Sequence, residues 1–216
     1  MVTNRNIDRV IRILKRAIRP WKVPVVGHYR PDSFETLISC LLSLRTKDET
    51  THGASRRLFR LARTPRRMLR LPTATIERAI YPVGFYRTKA RTIHSVCRTL
   101  LERYGGRVPD ELEELLTIKG VGRKTANLVV TLAFGKDGIC VDTHVHRISN
   151  RWGYVRTRTP EQTEMALRRI LPRRYWQIYN DLLVTFGQNL CHPTSPWCSR
   201  CPLEPVCAKR GVRHSR

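Results

Sequence analysis

The sequence predicts an all-α protein of about ten helices, and three observations lead to that prediction. Apolar residues recur at helical spacing through most of the chain, and proline or glycine ends the periodic segments. Ser, Thr or Asp stands before several of these segments, where an N-cap would be. Clear strands are absent, and only Ile139–Val141 resembles a short one. A chain of 216 residues can bury a real core in one or two domains.

Five helices are predicted before Pro82. The first has apolar residues on one face; its Arg-rich composition also suits a transit peptide, but the spacing favours a helix of the mature protein. A loop around Pro24 and Pro31 follows, and Asp32 with Glu35 has the capping-box spacing for the second helix. The predicted ranges are Ile7 to Ile18, Phe34 to Leu44, Asp48 to Leu61, Pro65 to Leu71, and from the cap Thr73 to the residue before Pro82.

The second half of the chain continues in the same way. A long helix is closed by Gly105 and Gly106, and Asp110 is the predicted cap of the short helix after it. The predicted ranges of the longer helices are Arg87 to Tyr104, Lys124 to Phe134, Thr143 to Trp152, Pro160 to near Pro172, and Tyr175 to Leu190.

Gly120-Val121-Gly122 lies between two of these helices and predicts a tight hairpin. Glycine accepts the positive φ that such a turn requires and lets another molecule approach the backbone. The helix that follows would direct its unpaired N–H groups and its dipole at this turn, which is an arrangement that binds phosphate. A hairpin of this kind is a weak signal alone, because many DNA-binding proteins contain one.

The charge balance points to a polyanionic partner. Lys and Arg number 41 against 17 Asp and Glu, which gives a formal net charge of +24 and a pI near 10.9. A generally arginine-rich surface would also account for part of this excess. No apolar run approaches the length of a membrane-spanning helix, so a membrane is not the expected partner.

Four of the seven cysteines follow the last long helix, with six, two and five residues between them. Disulfides are not expected in a protein that faces DNA inside a cell. A loop that is rich in proline and poor in apolar residues needs a metal centre to hold it, and four thiolates suit either Zn²⁺ or a [4Fe–4S] cluster. The proposed ligands are Cys191, Cys198, Cys201 and Cys207, whereas Cys40, Cys97 and Cys140 are expected to be core residues.

The hairpin and the segment after it resemble the endonuclease III family of DNA glycosylases. The resemblance rests on G-V-G-R-K-T-A-N at 120–127 and V-D-T-H at 141–144, together with the cysteine spacing. It covers nearly the whole chain, from the first helix to Cys207. Lys119 departs from the family, where proline is common. The resemblance implies that the four cysteines bind a [4Fe–4S] cluster with a mainly structural role.

The family arrangement implies two discontinuous domains in this chain. A helical barrel would extend over 26–136 and end in the helix-hairpin-helix motif at about 110–135. The cluster domain would combine the N-terminal helix, 1–25, with 137–216, including the iron–sulfur loop 191–207.

The resemblance also implies a mechanism for base excision repair. Lys124 would attack C1′ of a flipped-out oxidised pyrimidine nucleotide, expel the base, form a Schiff base and cut the strand by β-elimination. Asp142 would stabilise positive charge on the sugar and assist proton transfer. The structural alternatives are a phosphate contact for Lys124 and a simple N-cap for Asp142. The neutral amine is the nucleophile, and the helix N-terminus and Arg123 both disfavour the ammonium form.

Two loops would enter the gap that the extruded base leaves in the duplex. One is Ser43–Asp48, where Arg45 replaces the family's glutamine, and the other is the turn of Phe85, a wedge that could instead pack under its own turn. The remaining predicted DNA contacts are Gly120, Val121, Gly122, Arg123, Thr125 and His144.

Three rival functions are weighed against this one. An adenine-specific relative would lack an amine at 124, a glycosylase for mismatched or alkylated bases would share the fold, and a non-catalytic helix-hairpin-helix protein would not need Lys124 with Asp142. The expected partner is double-stranded DNA with damaged bases or abasic sites, bound by a monomer. The expected location is the cytoplasm at the nucleoid in a prokaryote, or the nucleus or mitochondrion in a eukaryote.

Overall fold

The computed structural model describes residues 1–21 and 32–216, and these residues form α-helices and short 3-10 turns without a strand. The loop predicted around Pro24 and Pro31 lies outside the described residues. Because the regular elements of the described residues are all helical, the all-α prediction is confirmed. The helices are α1 (Ile7–Ala17), α2 (Ser33–Ser43), α3 (Asp48–Leu61), α4 (Pro65–Arg70), α5 (Thr73–Ile80), α6 (Tyr86–Tyr104), α7 (Leu112–Leu116), α8 (Arg123–Phe134), α9 (Thr143–Arg151), α10 (Pro160–Ile170) and α11 (Trp176–Asn189).

Most helix ends carry the caps that the sequence indicates. Asp32 accepts hydrogen bonds from the backbone N–H groups of Phe34 and Glu35, and Thr64 and Thr159 cap α4 and α10 in the same manner. Gly105 and Gly135 end α6 and α8 in the left-handed conformation.

Two predicted caps are wrong, because each side chain instead contacts a residue from another part of the chain. Thr73 is the first residue of α5, and its hydroxyl lies 3.2 Å from Nδ1 of His94. The carboxylate of Asp110 lies 2.9 Å from Nζ of Lys136, and the cap position of α7 belongs to Glu111. The strand-like stretch Ile139–Val141 is irregular and buried, and Asn180 donates a hydrogen bond to the carbonyl of Cys140.

The chain divides into two compact units, Val25–Lys136 and a discontinuous unit of Met1–Pro24 with Asp137–Arg216. The first of these, the hairpin unit, is built around α2, which packs against α3, α6 and α8. Because α2 is apolar on nearly every side, it is buried along most of its length. The largest fully buried side chains of the hairpin unit are Leu37, Ile38, Leu42, Leu58, Met68 and Ile76.

The discontinuous unit, the cysteine unit, has its own core. Helix α11 packs against α1 and α9, and α10 packs against α9. The apolar face of α1 supplies Ile7, Val10, Ile11 and Leu14 to this core, as the spacing of these residues predicts. The largest buried side chains of the unit are Trp152, Tyr179 and Phe186. Within the described ranges, no helix combines the length and apolar character needed to cross a membrane.

Candidate functional site

The hairpin connects α7 to α8, and its two glycines have different roles. Gly120 has φ +97°, and a Cβ there would lie 2.5 Å from Cγ2 of Thr92 on α6, so both its conformation and its surroundings require glycine. Gly122 has φ −92° and ψ 169° as the N-cap of α8, which any residue can adopt. The prediction that both glycines supply positive φ therefore holds for Gly120 alone. Val121, between them, is buried.

Gly122 leaves the start of α8 open to a ligand. It has no side chain to cap the first turn, and no atom lies within 4 Å of where its Cβ would be. Gly122 is exposed and Lys124 partly exposed, and the first turn of α8 has neither a side-chain cap nor an acidic residue. Such an end attracts phosphate through its dipole and its unpaired donors.

Lys124 is the second residue of α8 and is half-buried. Its charge acts on Cys40 of α2, a buried thiol: burial raises the pKa of Cys40 to about 12, and the lysine charge opposes the shift. Thr125 and Asn127 are buried beside it, and Asn127 Nδ2 donates 3.1 Å to the carbonyl of Arg123. Helix α8 packs against α2, and the Lys124 side chain stays partly exposed.

Arg45 and Phe85 come together on the hairpin unit. The guanidinium carbon of Arg45 lies 5.6 Å from the centroid of the Phe85 ring. Both side chains are exposed, Phe85 to 63%, so the ring does not pack under its own turn. Both residues have positive φ, 53° and 58°, although neither is glycine. Two strained residues with exposed, stacked side chains are typical of a binding element.

Asp142 and His144 belong to the cysteine unit. Asp142 is the N-cap of α9, and its Oδ1 accepts from the N–H groups of His144 and Val145, each at 2.9 Å. The capping alternative for Asp142 is therefore what the structure shows. These two bonds use one carboxylate oxygen and fix the orientation of the other, so capping is compatible with a chemical role.

Arg147 connects the start of α9 to the cysteine loop. Its Nη2 lies 3.1 Å from Nδ1 of His144 and donates 2.7 Å to the carbonyl of Cys191. Burial lowers the pKa of Arg147, while the charge of Asp142 acts in the opposite direction. A Cβ on Gly187 of α11 would lie 2.3 Å from Nδ1 of His144, so glycine is needed where α11 crosses this pair.

The four cysteines of the terminal loop line one cavity. They share it with Arg151 and with the apolar side chains of Trp152, Phe186 and Leu190. All four are free thiols in the structure, without a disulfide. Among the described residues, no group of three or more His, Cys, Asp or Glu side chains is arranged to hold a single metal ion.

The surroundings of these sulfurs suit thiolate ligands. Nη1 of Arg151 lies 3.4 Å from Sγ of Cys191, and the N–H of Lys209 lies 3.4 Å from Sγ of Cys207. Burial, together with the charges of the neighbouring cysteines, raises the pKa of the Cys201 thiol to about 11. Four thiolates in this cavity therefore need a cationic centre to offset their mutual repulsion, and the donor set fits an iron–sulfur cluster.

The sequence interpretation missed Lys89, Arg147 and Arg151, three cations with buried or partly buried side chains. Lys89 and Arg151 are only 8% and 6% exposed, and both lie on the apolar faces of their helices. A cation at a position where the helical period predicts an apolar residue was the available signal.

The chain is similar to known proteins over nearly its whole length. Residues 38–173 match the HhH-GPD superfamily of base excision DNA repair proteins. Endonuclease III of Thermotoga maritima is 49% identical over 84% of this chain and 85% of its own length. Two solved structures cover 97% of this chain and of their own chains: a non-covalent endonuclease III–DNA complex with TM-score 0.87 and 35% identity, and a trapped endonuclease III–DNA covalent intermediate with an estranged adenine, with TM-score 0.85 and 36% identity.

Proposed function

This chain belongs to the endonuclease III family of base excision DNA repair enzymes, and from that premise we propose that it is a bifunctional DNA glycosylase and abasic-site lyase acting on oxidised pyrimidines. The observation that carries the proposal is the position of Lys124 in the first turn of α8, directly after the open hairpin. An amine at that point lies beside the N–H groups that would bind a phosphate of the lesion strand.

Lys124 would act as the nucleophile. Its neutral Nζ attacks C1′ of the extruded nucleotide, and the bond from C1′ to the base breaks as the base leaves with the bonding electrons. The sugar ring then opens as the C1′–O4′ bond breaks: O4′ takes up a proton and becomes a hydroxyl, and a Schiff base forms between Nζ and C1′. Removal of a proton from C2′ expels the 3′ phosphate, which cuts the strand. Hydrolysis of the imine releases Lys124 for another cycle.

Asp142 would support the first step through its negative charge. The positive charge that develops on the sugar as the base departs is stabilised by a nearby carboxylate. The bonds that Oδ1 accepts from His144 and Val145 hold the carboxyl group in one orientation, and Oδ2 takes no part in them. The cap of α9 would therefore also orient a catalytic group.

The partner would be double-stranded DNA that contains a damaged base or an abasic site. The hairpin from Gly120 to Thr125 would bind a backbone phosphate, and the stacked Arg45 and Phe85 would fill the gap left by the extruded base. His144, held by Arg147, would contact the same strand. We propose that a monomer suffices and that the enzyme acts wherever the genome lies: at the nucleoid of a prokaryote, or in the nucleus or mitochondrion of a eukaryote.

A [4Fe–4S] cluster would be held by Cys191, Cys198, Cys201 and Cys207, whose side chains line one cavity. When bound, it would supply a covalent link between segments that contain few apolar residues. Arg151 would stabilise the site from the protein side, because it donates to the sulfur of Cys191 and to the carbonyls of His192 and Pro193. No catalytic step requires the cluster.

Borohydride trapping tests the proposed reaction. The wild-type protein should become covalently attached to a duplex with an oxidised pyrimidine when borohydride is present, and Lys124→Gln should not. Lys15→Gln, which removes an exposed charge from α1, is the matched control and should trap like the wild type. Trapping by the Lys124→Gln protein at the wild-type rate would exclude Lys124 as the nucleophile. The rates of base excision from duplexes that carry oxidised, alkylated or mismatched bases decide the substrate class.

A further inference from the structure

Lys89 is a buried cation whose hydrogen bonds converge on a single loop. Its side chain lies on the core face of α6, and the residue is 8% exposed. Burial lowers its pKa to about 8. Its ammonium donates 2.7 Å to the carbonyl of Leu42, 2.5 Å to that of Leu44 and 3.1 Å to Oγ1 of Thr46. These three bonds use the three donors of the group.

The acceptors of Lys89 enclose Arg45. Leu42 lies in the last turn of α2, and Leu44 and Thr46 are the residues on either side of Arg45. A lysine at a helix C-terminus satisfies carbonyls that the helix itself leaves unpaired and is favoured by the dipole. Because the carbonyls before Arg45 are fixed, this residue is held at φ 53°, a conformation that arginine rarely adopts.

The hydrogen bonds around Lys89 extend to the loop of Phe85. Oγ1 of Thr46 also accepts from the N–H of Gly84 at 3.2 Å, and a Cβ on Gly84 would lie 2.7 Å from the carbonyl oxygen of Arg45. The two loops therefore pass each other at backbone contact. The first helical hydrogen bond of Lys89 itself goes to the carbonyl of Phe85, at 3.0 Å. Lys89 thus reaches the loop of Arg45 through its side chain and the loop of Phe85 through its backbone N–H and through Thr46.

We propose that Lys89 is a positioning residue for insertion into DNA, which holds Arg45 and Phe85 in the arrangement that enters the gap. This inference rests on the proposed function, since it assigns the two loops to the gap in the duplex. A side chain that is already ordered does not lose further conformational freedom on binding, so fixing the loops favours the lesion complex. Lys89 itself contacts neither the base nor the sugar.

A general contribution to folding is the competing explanation, and a comparison of substrates separates the two. An abasic site in single-stranded DNA presents no gap to fill, whereas the same site in a duplex does. Lys89→Met keeps the length of the side chain and removes its donors. We expect its cutting rate on the duplex to fall roughly tenfold, the loss typical of a buried hydrogen-bonding group, and its rate on the single strand to match the wild type.

Binding gives a second measurement that does not depend on catalysis. For the wild type and Lys89→Met, affinity is measured for a duplex with a stable abasic analogue and for an intact duplex, with Lys15→Met as the control for charge loss. The preference for the abasic duplex should decrease only in Lys89→Met. An equal loss of affinity for the two duplexes would overturn the proposal. An equal loss of cutting rate on the single-stranded and the duplex substrate would do so too. So would an unchanged preference.

A double-mutant cycle tests whether Lys89 acts through Arg45. When Arg45→Ala has already removed the inserted side chain, Lys89→Met should reduce the abasic preference much less than it does in the wild type. Additive losses would contradict the positioning role. If Lys89→Met does not fold, Thr46→Val removes the oxygen shared by Lys89 and Gly84 and must give the same pattern. A wild-type protein without lyase activity would refute the proposed function, while the binding preference would still decide the role of Lys89.

Discussion

The guanidinium of Arg45 lies over the ring of Phe85, 5.6 Å from its centroid, although three helices, α3 to α5, separate the two residues in the chain. This contact brings a charged donor and an apolar ring to one exposed position. A glutamine, which the family commonly has in place of Arg45, both donates and accepts hydrogen bonds, whereas arginine only donates. The difference leads to a prediction about the base opposite the lesion.

We expect this enzyme to favour lesions opposite guanine. Arginine can donate to O6 and N7 of an unpaired guanine but offers no acceptor to the amino group of adenine. Arg45→Gln should reduce the guanine-to-adenine ratio of excision rates by an amount equivalent to roughly 1–3 kcal/mol. Single-turnover excision of an oxidised pyrimidine opposite each base measures this ratio. An unchanged ratio, with weaker binding to all substrates and a salt slope lower by about one, would indicate a phosphate contact instead.

Asp142→Asn should separate the chemical role of Asp142 from its role as a cap. Asparagine keeps the oxygen that accepts from His144 and Val145, so α9 should retain its start and the protein its thermal stability. The loss of negative charge should slow base excision by roughly 10²–10⁴-fold. Cutting at a ready-made abasic site should slow much less, because the base has already departed. A similar loss in both assays would contradict the assigned role.

Removing one cysteine should release the metal centre and destabilise its loop. Cys201→Ser should lower the iron and sulfide content, the visible absorbance and the yield of soluble protein, because Cys201 lines the same cavity as the other three cysteines. Cys97→Ser replaces a thiol buried in the hairpin unit. It is the matched control, and this variant should keep the iron. Stoichiometric zinc in wild-type protein made with adequate iron would refute the cluster assignment.

Gly187→Ala should destabilise the cysteine unit. The added Cβ would lie 2.3 Å from Nδ1 of His144 and 2.9 Å from Nη2 of Arg147, so one of these side chains must move. We expect the free energy of unfolding to decrease by roughly 1–3 kcal/mol, as for other overpacked sites. Gly53→Ala in α3 meets only the end of Arg57 at 3.4 Å and should be neutral or stabilising. Thermal unfolding of both variants provides the comparison.

The sequence by itself determined most of the helices and the enzyme class. Helix starts at Thr64 and Thr159 and ends at Gly105 and Gly135 depend on local hydrogen bonds within one turn of the chain, so they are readable from neighbouring residues. The hairpin lysine and the cysteine spacing are equally local. These features also carry the family resemblance, which the comparisons bear out for the fold and the enzyme class.

Only the tertiary structure decided which partner a polar side chain binds. Thr73 and Asp110 have the residue types of caps, but His94 and Lys136, brought near by folding, take their oxygens instead. In the same way, α6 carries Lys89 to the carbonyls around Arg45, a segment more than forty residues away. Competition among distant hydrogen-bonding groups depends on which helices pack together, and local sequence does not encode that.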